Sequence, residues 1–468
     1  MFEQGARAAV PSRKLLGVCK LRHFRPDLAV SADLRSLNPV VCGRVLGAAG
    51  LGIEVGGLSG LARVGARVRL FPSGEPLTGE IVGVRDGIAR VLPFGTAAGL
   101  APGARVEAAL DGVSATLSVS DGWLGRIVDP LGRPVDGLGA LPPGTPRSIQ
   151  ADPPAAATRS RLGPRCDLGV RALDLFATCR TGQRLGLFAG SGVGKSTLMA
   201  TLARNAGCDV VVLALVGERG REVREFVEDD LGADGLARSV VVVATSDQPA
   251  LMRREAAYAA MAVAEHFRDA GKSVLLMMDS VTRFCLALRE IGLAAGEPPA
   301  TRGYPPSTWA ELPRLLERAG PGPDRPGIGS VTALFTVLVE GDDHNEPVAD
   351  AVRGILDGHV VMDRHIAERG RYPAVDVLRS LSRTVPGCLE PDDAALVRRA
   401  RAVLAVQAEM ADLVRLGAYR AGTDPVVDEA LLLAPRVEDA IRQGRDEHAP
   451  AAASFIALRA ALETRHAS

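Results

Sequence analysis

The sequence predicts an α/β protein in three parts: a small N-terminal β-barrel, a central mostly parallel sheet covered by helices on both faces, and a C-terminal helical domain. Three observations carry this reading. Short Val/Leu/Ile-rich runs alternate with glycine over residues 34–108. Longer apolar runs alternate with helical stretches from about 160 to 345. After Pro386 the chain is rich in Ala, Leu, Val, Arg and Glu with a helical period. The 468 residues accommodate about two to four domains at roughly 100–200 residues each.

Residues 1–33 are irregular, with a basic cluster (Arg13, Lys14, Lys20, Arg22, His23, Arg25) among Leu15, Leu16, Val18, Leu21 and Phe24. This extension is a candidate for contact with a partner or a membrane surface, although by composition it reads more readily as a solvated arm. Runs such as VVCGRVLG, GIEVGGL and GEIVGV over 34–108 are short strands with glycine turns, the pattern of a small barrel. Residues 109–385 form the central domain. Within it 141–158 is Pro-rich and reads as a loop or linker. The strands expected after it are Arg184–Phe188, Asp209–Val216, Ser239–Ala244, Ser273–Met278 and Val331–Val339, with helices such as Lys195–Asn205 and Pro249–Asp269 between them. Continuous apolar strands alternating with helices indicate a parallel sheet buried on both faces, which gathers ligands at the carboxyl ends of its strands. Residues 386–468 form the helical domain, interrupted at GAYRAGTDP over 417–425.

Composition narrows the function. Lys+Arg and Asp+Glu are both 55, so the formal net charge is zero, which disfavours a bulk polyanion binder. Aromatic residues at 4% disfavour a stacking platform for single strands. Seven scattered cysteines without a CxxC pair suggest reduced thiols in a cytosol rather than a disulfide framework or a zinc site. No apolar run reaches the roughly 18 residues that a membrane span needs.

The strongest motif is Ala189-Gly190-Ser191-Gly192-Val193-Gly194-Lys195-Ser196-Thr197, a phosphate-binding loop with Ala at the first Gly position. A strand precedes it and a helix follows it. Its glycines let backbone N–H groups turn around phosphate oxygens, and the helix offers its positive end to the anion. Lys195 reaches the β- and γ-phosphates, and the Ser196 hydroxyl is a ligand for Mg2+. The chain has only four lysines (14, 20, 195 and 272) against 51 arginines. A lysine at this position is therefore informative, because the flat guanidinium does not replace a compact ammonium between phosphates.

Four weaker signals follow. Asp279 ends the apolar run Ser273–Asp279, the Walker B arrangement, where a carboxylate holds Mg2+ near Ser196. Glu218, in Gly217-Glu218-Arg219-Gly220-Arg221-Glu222, follows a strand. It either polarises the water that attacks a γ-phosphate or belongs to a solvated charged turn, and spacing alone does not choose. Arg283 and Arg383 are not singled out by spacing among so many arginines. Tyr372 is one of four tyrosines and suits either base stacking or the core.

The blocks GLFAGSGVGKST, GERGREV, LLMMDSVTRF, EIGLAAGEPPATRGYPPSTWAELPRLLERAG and RYPAVDVLRSLSR resemble the catalytic subunit class of rotary ATP synthases. Within that class they are most similar to the ATPases of bacterial type III export. LVRLGAYRAGTDPVVDEAL resembles the flagellar branch. The resemblance implies a RecA-like ATPase domain over the central part and a homohexamer that hydrolyses ATP with Mg2+ at its subunit interfaces. By matching position, Lys195 and Ser196 take the phosphate-loop roles and Glu218 activates water, with Arg219 beside it. Asp279 is the metal-side carboxylate, Arg283 lies near the γ-phosphate and Tyr372 stacks on adenine. Arg383 is the arginine finger given to the neighbouring subunit.

The implied partners are other copies of the chain, export-apparatus regulator and stalk-like proteins, and export substrates or chaperones. The implied location is the cytoplasm, peripheral to the inner membrane. Two other readings stay open: the export ATPase of a virulence secretion system, with the same site, and a ring-shaped nucleic-acid translocase, which charge and aromatic content disfavour.

Overall fold

The computed structural model describes residues 40–58, 63–109, 115–339 and 346–463. The N-terminal extension, residues 1–33, lies outside the described residues, as does the tail beyond 463.

Six antiparallel strands, β1 (Val40–Ala49), β2 (Gly52–Gly56), β3 (Arg67–Leu70), β4 (Leu77–Arg85), β5 (Ile88–Pro93) and β6 (Arg105–Ala109), close into a barrel in the order β1-β2-β5-β4-β3-β6. Inward residues Val45, Ile53, Val55, Val68, Leu70, Ile81, Val91 and Val106 fill it. They recur at every second position along their strands, as a pleated wall with one buried face requires.

Next come β7 (Thr116–Val119), β8 (Ile127–Val128) and β9 (Thr145–Ser148). The segment 141–158, expected to be a loop throughout, thus contributes a strand: β9 pairs antiparallel with β7. Pro146 hides this strand from a reading of composition, yet a two-stranded ribbon tolerates a residue without an N–H. The chain continues through β10 (Arg165–Cys166), α1 (Arg171–Phe176), β11 (Cys179–Arg180), β12 (Arg184–Ala189) and α2 (Lys195–Asn205). It then forms β13 (Val210–Glu218), α3 (Gly220–Glu225), a π-helical turn (Phe226–Leu231), α4 (Gly232–Ala237), β14 (Ser239–Thr245), α5 (Ala250–Asp269) and β15 (Ser273–Asp279). After α6 (Val281–Ala295), α7 (Pro306–Arg318), β16 (Gly320–Pro321), β17 (Ser330–Leu338) and α8 (Pro347–Ile355) come β18 (Gly358–Met362), α9 (Arg364–Glu368) and β19 (Val375–Ser382).

The central sheet runs β19-β18-β12-β17-β15-β13-β14-β8, with β16 paired to β17. Its ladders from β18 through to β8 are parallel, and β19 and β16 are antiparallel additions. β13 shows why the strands are apolar without interruption. Val210, Val212, Ala214 and Val216 join the core under α5 and α6, whereas Val211, Leu213 and Leu215 join the core under α2. The C-terminal helices α10 (Pro391–Arg415), α11 (Pro425–Ile441) and α12 (Ala451–Leu462) extend this second core through Val403, Leu433, Val437, Ile441 and Leu458. Proline at the first helical position and Asp424 accepting from the Val426 N–H at 2.8 Å set where α11 resumes after the break. Among the described residues no helix is long and apolar enough to cross a membrane.

Ionic contacts fix the barrel against α5. The Arg254 guanidinium donates to both carboxylate oxygens of Glu80 at 2.9 and 2.5 Å, and both residues are buried. Beneath α7, Arg318 grips Glu265 in the same bidentate way.

Asp174 is buried in α1 and accepts from the Leu168 and Val170 N–H groups at 2.7 and 3.1 Å. Burial outweighs those hydrogen bonds and pushes its carboxyl up to about 7. The folded chain therefore holds a proton that an unfolded carboxyl, titrating near ~3.9, has lost. The stability that this group contributes falls as pH rises from about 4 to about 7, then levels off. We expect Asp174→Asn to lose less stability than wild type between pH 5 and pH 8, read from urea midpoints. Equal losses in the two proteins would refute the assignment.

Candidate active site

The carboxyl edge of the sheet brings the phosphate loop together with Glu218, Asp279 and Arg283. The loop joins β12 to α2. It turns into the helix at Gly194, whose φ of +88° is left-handed and suits glycine. A Cβ there would also meet the Tyr372 ring at 3.6 Å. The first N–H groups of α2 face the loop with no side-chain cap, leaving them available to an anion.

Lys195 Nζ is in contact with Asp279 Oδ1 and lies 3.8 Å from Glu218 Oε1. Thr336 Oγ1 donates to the same Asp279 oxygen at 2.6 Å. These contacts follow from strand order. Asp279 ends β15, Glu218 ends β13, and Thr336 belongs to β17 on the other side of β15. Asp279 is buried, while Ser196 is exposed at the mouth, one residue along the chain from Lys195.

The Glu218 carboxyl is pushed above the usual carboxylate range. Burial is the main cause and the Asp279 charge adds to it, while Lys195 and Arg283 pull the other way. Arg283 stands in the first turn of α6, where its N–H is accepted by the Ser280 hydroxyl. Its stem packs so closely on Gly217 that a Cβ there would lie 3.1 Å from it. Arg219 points outward, 77% exposed, and pairs with Glu222 at 2.8 Å.

The cleft above these groups has a volume of about 740 Å³, and its walls include Ser246 and Arg364. A second recess of about 570 Å³ adjoins it across Gly192, Gly194 and Thr197. The half-exposed Tyr372 forms one wall of that recess and residues 442–445 another. The Gln443 N–H donates to the Tyr372 carbonyl at 2.9 Å. The Gln443 side chain ties the same loop to Gly169 and to the Arg171 N–H.

Arg383 is not part of this constellation. It follows β19, whose antiparallel register sets Ser382 opposite Gly358, and His359 in turn lies opposite Gly186. Arg383 thus sits near the level of the start of β12, whereas the phosphate loop begins beyond the end of that strand at Ala189. At about 3.3 Å per residue the separation along the strand is roughly 13 Å or more. The side chain is exposed and reaches the Arg353 carbonyl at 3.4 Å.

Three features of the cleft escape the sequence reading. Thr336 is one of three hydroxyl residues, with Ser330 and Thr332, in an otherwise apolar strand, and only the neighbouring Asp279 distinguishes it. Arg364 follows β18, a strand the sequence reading does not expect, and nothing distinguishes it among 51 arginines. Residues 442–445 are remote in sequence and arrive only through the docking of α11.

Residues 169–382 match the ATP synthase alpha/beta family, nucleotide-binding domain. Residues 389–460 match the T3SS EscN ATPase C-terminal domain. The chain is 54% identical over 442 residues to the flagellum-specific ATP synthase of Caulobacter vibrioides, covering 93% of this chain and 99% of that one. It is 50% identical over 370 residues to the type 3 secretion system ATPase of Xanthomonas euvesicatoria, covering 79% and 82%. The fold superposes with a TM-score of 0.81 on the assembled ATPase EscN, solved in complex with its central stalk EscO from the enteropathogenic E. coli type III secretion system. That pair is 39% identical, covering 90% of this chain and all of the other.

Proposed function

The chain belongs to the ATP synthase alpha/beta family as an ATPase of its type III export branch, and from that premise we propose how it works. It assembles as a homohexamer, hydrolyses Mg-ATP where subunits meet, and energises the export of flagellar proteins. The observation that carries the chemistry is the Glu218 carboxylate standing 3.8 Å from Lys195 Nζ at the phosphate loop. A carboxylate so placed orients a water and takes its proton as the oxygen attacks the γ-phosphorus, with ADP as the leaving group. Lys195 and Arg283 of the same chain, together with Arg383 of a neighbour, absorb the charge that develops on the transferring group. Arg219 stands at the mouth beside Glu218. Tyr372 and residues 442–445 take the adenine between them.

The oxygen donors at the loop suit a hard divalent cation: the Ser196 hydroxyl and the Asp279 carboxylate are the residues that would hold Mg2+. Bound there, the ion supplies neutralisation of charge on the β- and γ-phosphates. Asp279 also holds Lys195 in place through their direct contact.

Other copies of the chain, a stalk-like protein, an export-apparatus regulator, and export substrates or chaperones are the proposed partners. The proposed location is cytoplasmic, peripheral to the inner membrane. A second reading, virulence export, has the 50% identity to a type 3 secretion system ATPase in its favour. One experiment tests both readings. A deletion strain is expected to be non-motile, with flagellin retained inside the cell. Wild-type protein restores export and Lys195→Ala does not. Normal motility with failed effector secretion would select the second reading. Restoration by Lys195→Ala would refute the proposed site.

A further inference from the structure

The geometry points to Arg364 as a positioning residue through which a subunit's own phosphate loop sets the placement of its Arg383 in the neighbouring site. This rests on the reading that Arg383 serves another subunit.

The β18–β19 hairpin forms one edge of the sheet and carries both ends of the link. At the carboxyl end of β18, Arg364 donates to the Ser191 carbonyl at 3.3 Å, and Ser191 belongs to the loop that receives the phosphates. The preceding Asp363 accepts from the His365 N–H at 2.8 Å, fixing the start of α9. Its other oxygen lies 3.6 Å from the Arg379 guanidinium on β19. Arg379 is held again from β18, where His359 Nε2 donates to its carbonyl at 3.1 Å. Three residues after Ser380 the chain reaches Arg383, whose N–H donates to the Asp357 carbonyl at 2.9 Å.

Between these anchors the ladder is irregular. Val361 faces Asp376 and His359 faces Leu381, so β19 takes five steps where β18 takes two. The extra residues are not loose. Asp376 accepts from the Leu378 and Arg379 N–H groups at 3.0 and 3.1 Å, and the Ser380 hydroxyl accepts from the Val361 N–H at 3.0 Å. Bulges of this kind re-aim the strand that follows them. The hairpin is thus latched to the phosphate loop at one end and carries the finger at the other. Arg364 and Arg379 join the two through Asp363. Arg364 is exposed, so its truncation to Ala is expected to leave the fold intact.

The test uses rings co-expressed with two different tags and isolated through both, so that every ring is mixed. In the first pair, Glu218→Gln subunits have a silent site and an intact finger, and Arg383→Ala subunits have a competent site and no finger. Turnover then reports the Arg383→Ala sites, served by fingers from their neighbours. Arg364→Ala is next added to the Glu218→Gln subunits, whose own sites are already silent. The expected result is a fall in turnover of about fivefold or more, the lower end of site–site coupling, with KM for ATP unchanged. Arg379→Ala in place of Arg364→Ala is expected to act in the same direction. Turnover equal to that of the first pair would overturn the inference and leave the shared site standing. Silence of the first pair itself would overturn the shared-site reading, and the inference with it.

Discussion

Glu218→Gln is expected to bind ATP and assemble normally while losing about two to four orders of magnitude in turnover, the usual contribution of a general base. The substitution keeps the shape of the side chain and removes its ability to take a proton. The environment of Glu218 suits that task. It stands at the carboxyl end of β13, partly buried, with Asp279 raising its affinity for a proton and Lys195 and Arg283 restraining the rise. Its upward displacement sets the sign of a pH effect. As pH falls through the raised value the carboxylate is protonated and hydrolysis slows, so the acidic limb of the rate profile lies above the ordinary carboxylate range. Single-turnover hydrolysis of radiolabelled ATP, beside a binding isotherm, reads both parts. Turnover within tenfold of wild type would remove Glu218 from the mechanism.

Arg383→Ala is expected to cost about 10³ or more in turnover, the scale of an arginine finger, with little change in ATP affinity. The fold supports the prediction by exclusion. Strand register places Arg383 near the far end of β12 from the phosphate loop of its own chain, exposed on the edge of the sheet. Its guanidinium is therefore out of reach of that chain's γ-phosphate and available to another's. A guanidinium that stabilised only its own chain would affect thermal stability and leave turnover per folded molecule unchanged.

Sequence and structure agree best where a residue's role is local. The phosphate loop is legible because its glycines, lysine and hydroxyl are contiguous, and their geometry follows from one strand, one turn and one helix. Lys195 stands out further because the chain is otherwise sparing with lysine. Five of the parallel strands are legible because burial on both faces leaves runs such as β13 and β15 without a polar interruption. β18 and β19 are not legible in the same way. His359 interrupts β18, and exposed Leu378, Arg379 and Leu381 interrupt β19, which forms the edge of the sheet. The meeting of Glu218 with Lys195 depends on β15 lying next to β13, a fact of topology rather than of spacing. The loop at 442–445 depends on tertiary docking of α11, which no local pattern encodes.

We propose that each site is completed by a neighbouring subunit. The most direct test is ATPase rate in rings assembled from Arg383→Ala and Glu218→Gln subunits, as their ratio is varied and mixed rings are verified by mass. Near-silence is expected for either variant alone and a maximum at intermediate ratios, because one subunit then supplies the base and the other the finger. Verified mixed rings that stay silent at every ratio would contradict it, as would an Arg383→Ala homomer that hydrolyses ATP at the wild-type rate.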